Sequence, residues 1–322
     1  MQTNTIYFSS LLNRAAKSGE KSRFYSIYGD ERAETILAVA DELFAVMGSL
    51  EVPIAFIDNT SDIWVRDCMP VRTKSKKYVS FKYDPWYLEN EPELITDFER
   101  YISTQFPGLD ITYSDINLDG GNVVFSPSRE KVIISERIFE ENDERDEEEI
   151  VHCLERLLEA DVIMIPSFDR YEDIVGQASS LARFVDEDTV VINRIRYKDG
   201  TEPENELEQE MEEELDEYGI AVKYLPYFNA NEDFEYPYFS TDESAVGCYI
   251  NYLETENYII LPQFLAENDA GVAPESDFEF VKNMDEYAYE AASRIFSKKV
   301  VPLNAGEIAK HGGVLNCISW EL

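Results

Sequence analysis

The sequence predicts an α/β protein built from repeated strand-strand-helix units. Short apolar runs alternate along the 322 residues with longer amphipathic stretches of helical period. The units recur at intervals of roughly 60 residues, which suits a closed ring of ββαβ modules better than a doubly wound sheet. Neither G-x-G-x-x-G nor G-x-x-x-x-G-K-[ST] occurs, so the best-known nucleotide-binding signatures are absent.

The predicted strands are short runs of β-branched and aromatic residues between turn residues. In chain order they are Ile6–Phe8, Ile54–Ile57, Lys77–Lys82, Val123–Phe125, Val132–Ser135, Val162–Ile165, Thr189–Asn193, Ala221–Tyr227, Tyr249–Leu253, Tyr258–Leu261 and Lys299–Pro302. The segment Ala182-Arg183-Phe184 also indicates a strand.

The predicted helices follow apolar spacings of three and four residues. They are Arg32–Met47, Leu94–Gln105, Asp146–Ala160, Glu204–Tyr218, Val281–Phe296 and the shorter Ala305–Lys310. Acidic residues at a helix start complement the positive end of the helix dipole. The charge run from Glu140 to Glu149 is therefore predicted to be a loop and a solvated helix start.

Composition indicates one folded domain over residues 1–322. Hydrophobic residues make up 44% of the chain, with 18 Phe and 20 Tyr, which supplies a sizeable core. No Pro/Gly/Ser-rich linker or low-complexity segment divides the chain. A homodimer is compatible with the sequence, which does not fix the oligomeric state.

The chain is strongly acidic, with 66 Asp and Glu against 28 Lys and Arg and a formal charge of −38. Nucleic acid and anionic membranes are excluded as partners, because a field of this sign repels polyanions. Two interpretations of the acidity stay open: a surface adapted to solubility or a saline habitat, and electrostatic attraction of a small cationic substrate.

The cysteines and histidines indicate a cytoplasmic protein without a metal or other cofactor. The N-terminus has no secretory signal and no apolar stretch approaches the length of a membrane span. The only two histidines, His152 and His311, make a His-rich metal site untenable. Four cysteines lie far apart without a C-x-x-C pair, which favours reduced thiols: Cys68, Cys153, Cys248 and Cys317.

Four short segments place a reactive or charged residue beside turn residues. They are Asp62-Ile-Trp-Val-Arg-Asp-Cys-Met-Pro70, Leu118-Asp-Gly-Gly-Asn-Val-Val124, Asp173-Ile-Val-Gly-Gln-Ala-Ser-Ser-Leu-Ala-Arg-Phe184 and the C-terminal stretch from Lys310 to Leu322 around Cys317. Each also has an ordinary structural interpretation: an Arg-Asp ion pair under a packed Trp, two polar turns, and an inert buried thiol.

Taken in this order, the motifs W-x-R-D-x-x-P, D-G-G-N, G-x-x-x-x-x-x-R-F and G-G-x-x-x-C-I resemble agmatine deiminase and the Porphyromonas-type peptidylarginine deiminases. The resemblance covers about residue 50 to the end. It implies a pentein, a five-bladed α/β propeller with pseudo-fivefold symmetry and a central active site. In this family a cysteine thiolate attacks a guanidinium carbon, ammonia leaves, and water releases a ureido product.

The resemblance implies roles for six residues. Cys317 matches the nucleophile, and Asp67 matches a carboxylate that binds the guanidinium. Trp64 and Asn122 match positions that line or support the site, and Asn251 matches an asparagine placed on a strand beside the cysteine. Asn316 stands where the family often has a histidine. The Asp67 carboxylate and the Cys317 thiol are therefore expected to meet one guanidinium.

Two further positions depart from the family pattern. The usual G-H-x-D is Gly176-Gln-Ala-Ser179 here, so Gln177 stands at the position of the general acid/base histidine and Ser179 at that of the second carboxylate. Glutamine does not exchange a proton at neutral pH. His311, six residues before Cys317, is a candidate substitute.

Three functions stay open. The first is a hydrolase of a guanidino compound, with agmatine favoured over peptidyl arginine and hence a role in putrescine biosynthesis. The second is a catalytically impaired pentein that binds a small cation or a partner protein. The third is an amidinotransferase, for which nothing in the sequence indicates the acceptor.

Overall fold

The computed structural model describes residues 4–167, 176–198, 206–230, 244–265 and 273–322. Within them, strands form five three-stranded sheets. The strands are β1 Ile6–Ser9, β2 Ile54–Ile57, β3 Val71–Arg72, β4 Tyr78–Lys82, β5 Ile111–Asn117, β6 Val124–Phe125, β7 Lys131–Ser135, β8 Asp161–Ile165, β9 Ala182–Asp186, β10 Thr189–Ile195, β11 Ala221–Tyr227, β12 Leu253–Glu254, β13 Tyr258–Gln263, β14 Lys299–Asn304 and β15 Ser319–Glu321.

The α-helices of the described residues fall between strands or beside them. They are α1 Ser18–Tyr28, α2 Asp30–Ser49, α3 Val65–Cys68, α4 Arg137–Glu141, α5 Glu147–Leu158, α6 Glu206–Glu217, α7 Glu275–Ile295 and α8 Gly306–Ala309. No helix in the described ranges is long and apolar enough to cross a membrane.

The sheets repeat one plan, as the sequence predicts. In three of them an antiparallel pair of strands is followed by a parallel third strand: β3-β4-β5, β6-β7-β8 and β12-β13-β14. Helices α4 and α5 provide the crossover from β7 to β8, and α7 provides the one from β13 to β14. In the sheet β15-β1-β2 the antiparallel partner of β1 is the C-terminal strand, paired Phe8 with Ser319.

The chain forms two compact units. The first contains Met1–Val65, Asn193–Glu204 and Tyr224–Leu322, and the second contains Arg66–Ile192 and Asn205–Lys223. In the second unit, α5 buries its apolar face under the β6-β7-β8 sheet, where Ile150, Leu154 and Leu158 pack with strand residues that include Val132 and Val162. Asp146 caps this helix by accepting a hydrogen bond from the Glu149 amide (3.2 Å), which confirms the predicted helix start.

The first unit has an aromatic core. The ring centroids of Phe228 and Phe280 lie 5.2 Å apart, and those of Tyr249 and Phe264 lie 5.0 Å apart. The Asp285 carboxylate accepts hydrogen bonds from the Tyr249 hydroxyl (2.8 Å) and from the Phe264 amide. These contacts fix the segment before Asn251, which belongs to the candidate site.

Two elements predicted from the sequence differ in the structure, so these predictions are wrong. Leu94–Gln105 is not an α-helix but a 3₁₀ turn over Pro92–Leu94, a π-helical turn over Phe98–Ile102 and a 3₁₀ turn over Ser103–Gln105. Tyr249–Leu253 is a turn that becomes a strand only at Leu253.

Other elements were not predicted from the sequence: α1, α3, α4, β3, β5 and β15. Part of the predicted helix Glu204–Tyr218 and residues 173–175 of the third motif lie outside the described residues. A single domain over residues 1–322 stays a prediction.

Candidate active site

In the second unit, α3 directs Asp67 toward the Gly120-Gly121 turn. Asp67 is buried, and its Oδ1 accepts a hydrogen bond from the Gly121 amide at 3.1 Å. A Cβ on Gly121 would lie 2.5 Å from this oxygen and closer still to Gln177 Oε1. The glycine is therefore required, because any side chain here would displace the carboxylate or the amide.

Gln177 joins two buried carboxylates. Its Nε2 donates to Asp67 Oδ1 at 3.0 Å and to Asp119 Oδ2 at 2.8 Å. Both N–H groups of the amide are thereby used. Gln177 brings two neutral donors to the carboxylates and adds no positive charge.

Asp119, directly before the glycine pair, has two unequal oxygens. Its Oδ2 accepts from Gln177 and from the Tyr87 hydroxyl (2.9 Å). Its Oδ1 is buried and has no hydrogen-bond partner among the described residues. Burial raises the pKa of Asp119 to about 6, although the two donors on Oδ2 oppose the shift.

Asn122 holds the Gln177 segment in place. Its Oδ1 accepts from the amides of Ser135 (2.9 Å) and Ala178 (3.0 Å), and its Nδ2 donates to the Ser135 carbonyl (3.4 Å). The Ser135 hydroxyl donates to the Gly176 carbonyl at 2.6 Å. Asn122 therefore fixes the backbone at Ser135 and at Ala178, the residue after Gln177. Its role in substrate binding stays a prediction.

Ser179 lies on the 3₁₀ turn Ala178–Ser180, two residues after Gln177. It is buried, and within the part of the chain that the structure describes its Oγ has no hydrogen-bond partner. The position that carries a carboxylate in the family pattern thus holds a neutral hydroxyl.

In the first unit, Cys317 is buried and its Sγ accepts a hydrogen bond from Asn251 Nδ2 at 3.1 Å. Asn251 Oδ1 accepts from the Asn316 amide at 3.1 Å, which fixes the orientation of the Asn251 side chain. Asn251 therefore lies beside the cysteine as expected, but it belongs to the turn before β12 and not to a strand.

Trp64 also lies beside the cysteine. A Cβ on Gly313 would be 2.7 Å from the Trp64 ring and 3.1 Å from Cys317 Cβ, so both side chains border this glycine. The Trp64 amide donates to Asp62 Oδ1 at 2.9 Å. Asp62 is buried, and burial raises its pKa to about 7 against the opposing effects of this hydrogen bond and of Arg23.

His311 packs its ring edge-on against Tyr28, with centroids 5.4 Å apart. Burial lowers its pKa, with Arg32 acting in the same direction. His152 is exposed on α5, 3.4 Å from Glu155. Across the described ranges, no group of three or more His, Cys, Asp or Glu side chains is arranged to hold a metal ion.

The predicted residues thus fall into two constellations. Asp67, Asn122 and Gln177 share one hydrogen-bond network in the second unit, with Ser179 on the adjacent turn. Trp64, Asn251, Asn316 and Cys317 cluster in the first unit.

Sequence reasoning overlooked Asp119 and Tyr87. The place of Asp119 before the glycine pair was a usable signal, because a carboxylate next to a turn without side chains can be approached closely. Tyr87 has no such signal.

The relationship to known proteins is decided by the sequence as a whole. A family model described as Porphyromonas-type peptidyl-arginine deiminase matches residues 26–322. The chain belongs to this family. No curated protein matches the chain.

Solved structures place this deiminase-family chain in the pentein fold. It matches an agmatine deiminase of C. jejuni with a TM-score of 0.67 and 17% identity, over 99% of this chain and 93% of that one. An agmatine deiminase of Enterococcus faecalis matches with a TM-score of 0.59 and 18% identity, over 99% and 93%. A DDAH from Pseudomonas aeruginosa matches with a TM-score of 0.54 and 11% identity over the full length of both chains. The predicted fold class is confirmed.

Proposed function

We propose that this chain is a hydrolase of guanidino compounds that uses Cys317 as its nucleophile. The hydrogen bond from Asn251 Nδ2 to the Cys317 sulfur carries the proposal. An N–H group directed at sulfur favours the thiolate, which is the nucleophilic form. Asn251 Oδ1 lies 3.5 Å from the same sulfur and accepts from the neutral thiol, so the shorter Nδ2 contact is the one that supports the thiolate. The Trp64 ring near Gly313 provides an aromatic face of the kind that attracts a planar cation.

Asp67 is proposed to anchor the guanidinium. A guanidinium keeps its charge in proteins and pairs with carboxylates through two N–H donors. Asp67 Oδ1 already accepts from Gly121 and Gln177, so its orientation is fixed before a ligand arrives. That Asp67 and Cys317 engage one guanidinium stays a prediction.

Agmatine is the proposed substrate in preference to arginine within a protein. The formal charge of −38 attracts a small dication more strongly than a neutral or anionic compound. A cytoplasmic location and putrescine biosynthesis accord with this choice and stay predictions, as does a homodimer. The chemistry requires a thiol, water and a proton-transfer group, so no cofactor is proposed.

One observation favours a second candidate, a catalytically impaired pentein that binds a small cation or a partner protein. Gln177 occupies the position of the family histidine and is fixed by two carboxylates, and an amide cannot act as a general acid or base. A protein of this kind would retain guanidinium recognition without turnover.

Turnover separates the two candidates. The purified protein is incubated with agmatine and with arginine, and ureido product and ammonia are measured together. The hydrolase predicts equal amounts of both products, none with Cys317→Ser, and unchanged rates with Cys153→Ser as the matched control. Absence of product at high protein concentration and over a wide pH range would reject the hydrolase.

Labelling by a haloacetamidine tests the anchor independently of turnover. The reagent carries a guanidinium-like head, so Cys317 should react faster than the other cysteines, and Asp67→Asn should slow that reaction. Asp115→Asn, which changes an exposed aspartate paired with Arg145, should leave the rate unchanged. Equal and slow labelling of all four cysteines would contradict both the nucleophile and the anchor.

A further inference from the structure

The proposed hydrolysis needs a group that exchanges a proton, and the residue at the usual histidine position cannot supply it. Gln177 has both N–H groups committed to carboxylates, and its Oε1 lies against Gly121. The inference that follows rests on the proposed function. It concerns the buried cluster of Asp67, Gln177, Asp119 and Tyr87 in the second unit.

Asp119 is the member of this cluster with an unused oxygen. Both of its donors, Gln177 Nε2 and the Tyr87 hydroxyl, bind Oδ2. Oδ1 is buried without a partner in the described ranges, and the residue is only 5% exposed. A buried acceptor that no protein group satisfies is rare and calls for a ligand, a water or a proton.

We propose that Asp119 is the general acid and base of this chain and that the exchanged proton resides on Oδ1. Asp119 shares Gln177 with Asp67, the proposed guanidinium anchor, so the amide fixes the two carboxylates relative to one another. Gln177 thereby fixes the positions of the two carboxylates, and Asp119 transfers the proton. In a histidine-containing site one side chain would perform both tasks.

The electrostatic environment supports this role. Burial raises the pKa of Asp119 to about 6. A general acid/base is most effective when its pKa lies near the pH of the reaction, so a pKa of about 6 suits this role near neutral pH. The facing groups are Gln177 and Tyr87, with Asp67 beyond the amide. The pKa of Tyr87 is raised well above its ordinary value by burial and by Asp119, Tyr83 and Asp67, so Tyr87 stays a protonated donor.

The steps balance with one proton on Asp119 at the start. The Cys317 thiolate adds to the guanidinium carbon, and protonated Asp119 gives its proton to the departing amine, which leaves as ammonia. The resulting S-alkyl thiouronium cation adds water while the Asp119 carboxylate takes one proton from that water. Collapse then breaks the C–S bond and returns the thiolate, and the proton of the new hydroxyl passes to ammonia. The products are the ureido compound and ammonium.

Asp119→Asn tests the proposal with two readouts. Haloacetamidine labelling needs no proton transfer to a departing amine, so its rate at Cys317 should stay within a few-fold of the unmodified protein. Turnover should fall by about 10²- to 10⁴-fold, the usual contribution of a general acid/base. Asp115→Asn is the control for both readouts, and an unchanged unfolding midpoint excludes misfolding. Asp119→Glu should recover part of the turnover.

Tyr87→Phe provides a test that keeps the carboxyl group. The Tyr87 hydroxyl stabilises the ionised carboxylate, so its removal should raise the pKa of Asp119. Ammonia release requires protonated Asp119, so kcat/KM should decline above about pH 6 in the unmodified protein. The variant should shift this decline upward by about one pH unit.

The outcomes separate the inference from the proposed function. Three results together support both the inference and the proposed function. Labelling of Cys317 is fast, Asp119→Asn lowers turnover, and Tyr87→Phe shifts the decline of kcat/KM to higher pH. Fast labelling with equal turnover in Asp119→Asn, or with no turnover at any pH, overturns the inference and leaves the thiol and anchor intact. Slow labelling and no turnover in the unmodified protein remove the proposed function, and the inference with it.

Discussion

The substitution Asp62→Asn should stabilise the protein more at alkaline pH than at acidic pH. Asp62 is buried, and burial raises its pKa from 3.8 to about 7. Asparagine has nearly the same shape and keeps an oxygen that can accept the Trp64 amide, which lies 2.9 Å from Asp62 Oδ1. The variant therefore removes the titration while leaving that hydrogen bond available.

The direction in which the free energy of unfolding changes with pH follows from proton binding to Asp62. Between about pH 4 and 7 the folded state holds a proton on Asp62 that the unfolded state has lost, so the free energy of unfolding falls as pH rises through this window. At about 1.4 kcal/mol for each pH unit, the fully ionised form costs up to about 4 kcal/mol. Water that enters the site would reduce the cost of ionising Asp62. We therefore expect Asp62→Asn to raise the free energy of unfolding by about 1 to 4 kcal/mol at pH 8.

Urea denaturation at pH 5 and at pH 8, followed by tryptophan fluorescence, measures the effect. The stabilisation of Asp62→Asn relative to the unmodified protein should be about a third as large at pH 5, where roughly one of the three pH units of the window has been crossed, as at pH 8. Asp115→Asn is the control, because Arg145 lowers the pKa of that exposed carboxylate and no gain with rising pH is expected. A stability difference that is the same at both pH values would refute the reasoning.

Two further variants test contacts of the candidate site. Gly121→Ala should destabilise the protein by about 1 to 3 kcal/mol and abolish turnover, because its Cβ would clash with Gln177 and Asp67. Gly48→Ala, where a Cβ meets nothing within 4 Å, should be neutral or stabilising in the same denaturation assay. Asn251→Ala should slow alkylation of Cys317 by neutral iodoacetamide at pH 7, with Cys153 in the same sample as reference; an unchanged ratio of the two rates would contradict a role for the Nδ2 hydrogen bond.

Glycine-containing motifs made part of the candidate site readable from sequence. Gly121 is needed where two side chains approach the backbone, and Gly176 has a φ of 56° with the Arg137 side chain against it. Only glycine satisfies both requirements without strain. The resemblance to the family, which these motifs carry, assigned Asp67, Asn122 and Gln177 to one site, and the two glycines show why the motifs need those positions.

Apolar periodicity was less reliable because different backbones can bury the same residues. Phe98 and Ile102, four residues apart, are both buried, as an α-helix over Leu94–Gln105 would require. Pro92 begins a 3₁₀ turn, however, and Asp97 accepts from the Arg100 amide, which starts a π-helical turn instead. Side-chain spacing does not distinguish these backbones when the segment is short.

The error at Tyr249–Leu253 has a tertiary cause. The aromatic and β-branched composition favours a strand. Tyr249 is instead held in the core by the hydrogen bond from its hydroxyl to Asp285 and by the packing of its ring against Phe264, without pairing in a sheet. The missed strand β15 is also a long-range feature, since Ser319 pairs with Phe8 at the other end of the chain. Neither arrangement leaves a local signal.

The substitutions at the family's proton-transfer positions could be read from the sequence, but the compensation that we propose for them could not. Gln177 joins Asp67 to Asp119 through hydrogen bonds and has no titratable ring. A sequence comparison alone therefore indicates a loss of function. The unequal oxygens of Asp119 are the basis for proposing otherwise, because a buried carboxyl with one unused oxygen can exchange a proton and glutamine cannot. Residue identity at one motif position is thus a weaker guide to competence than the hydrogen bonds of its neighbours.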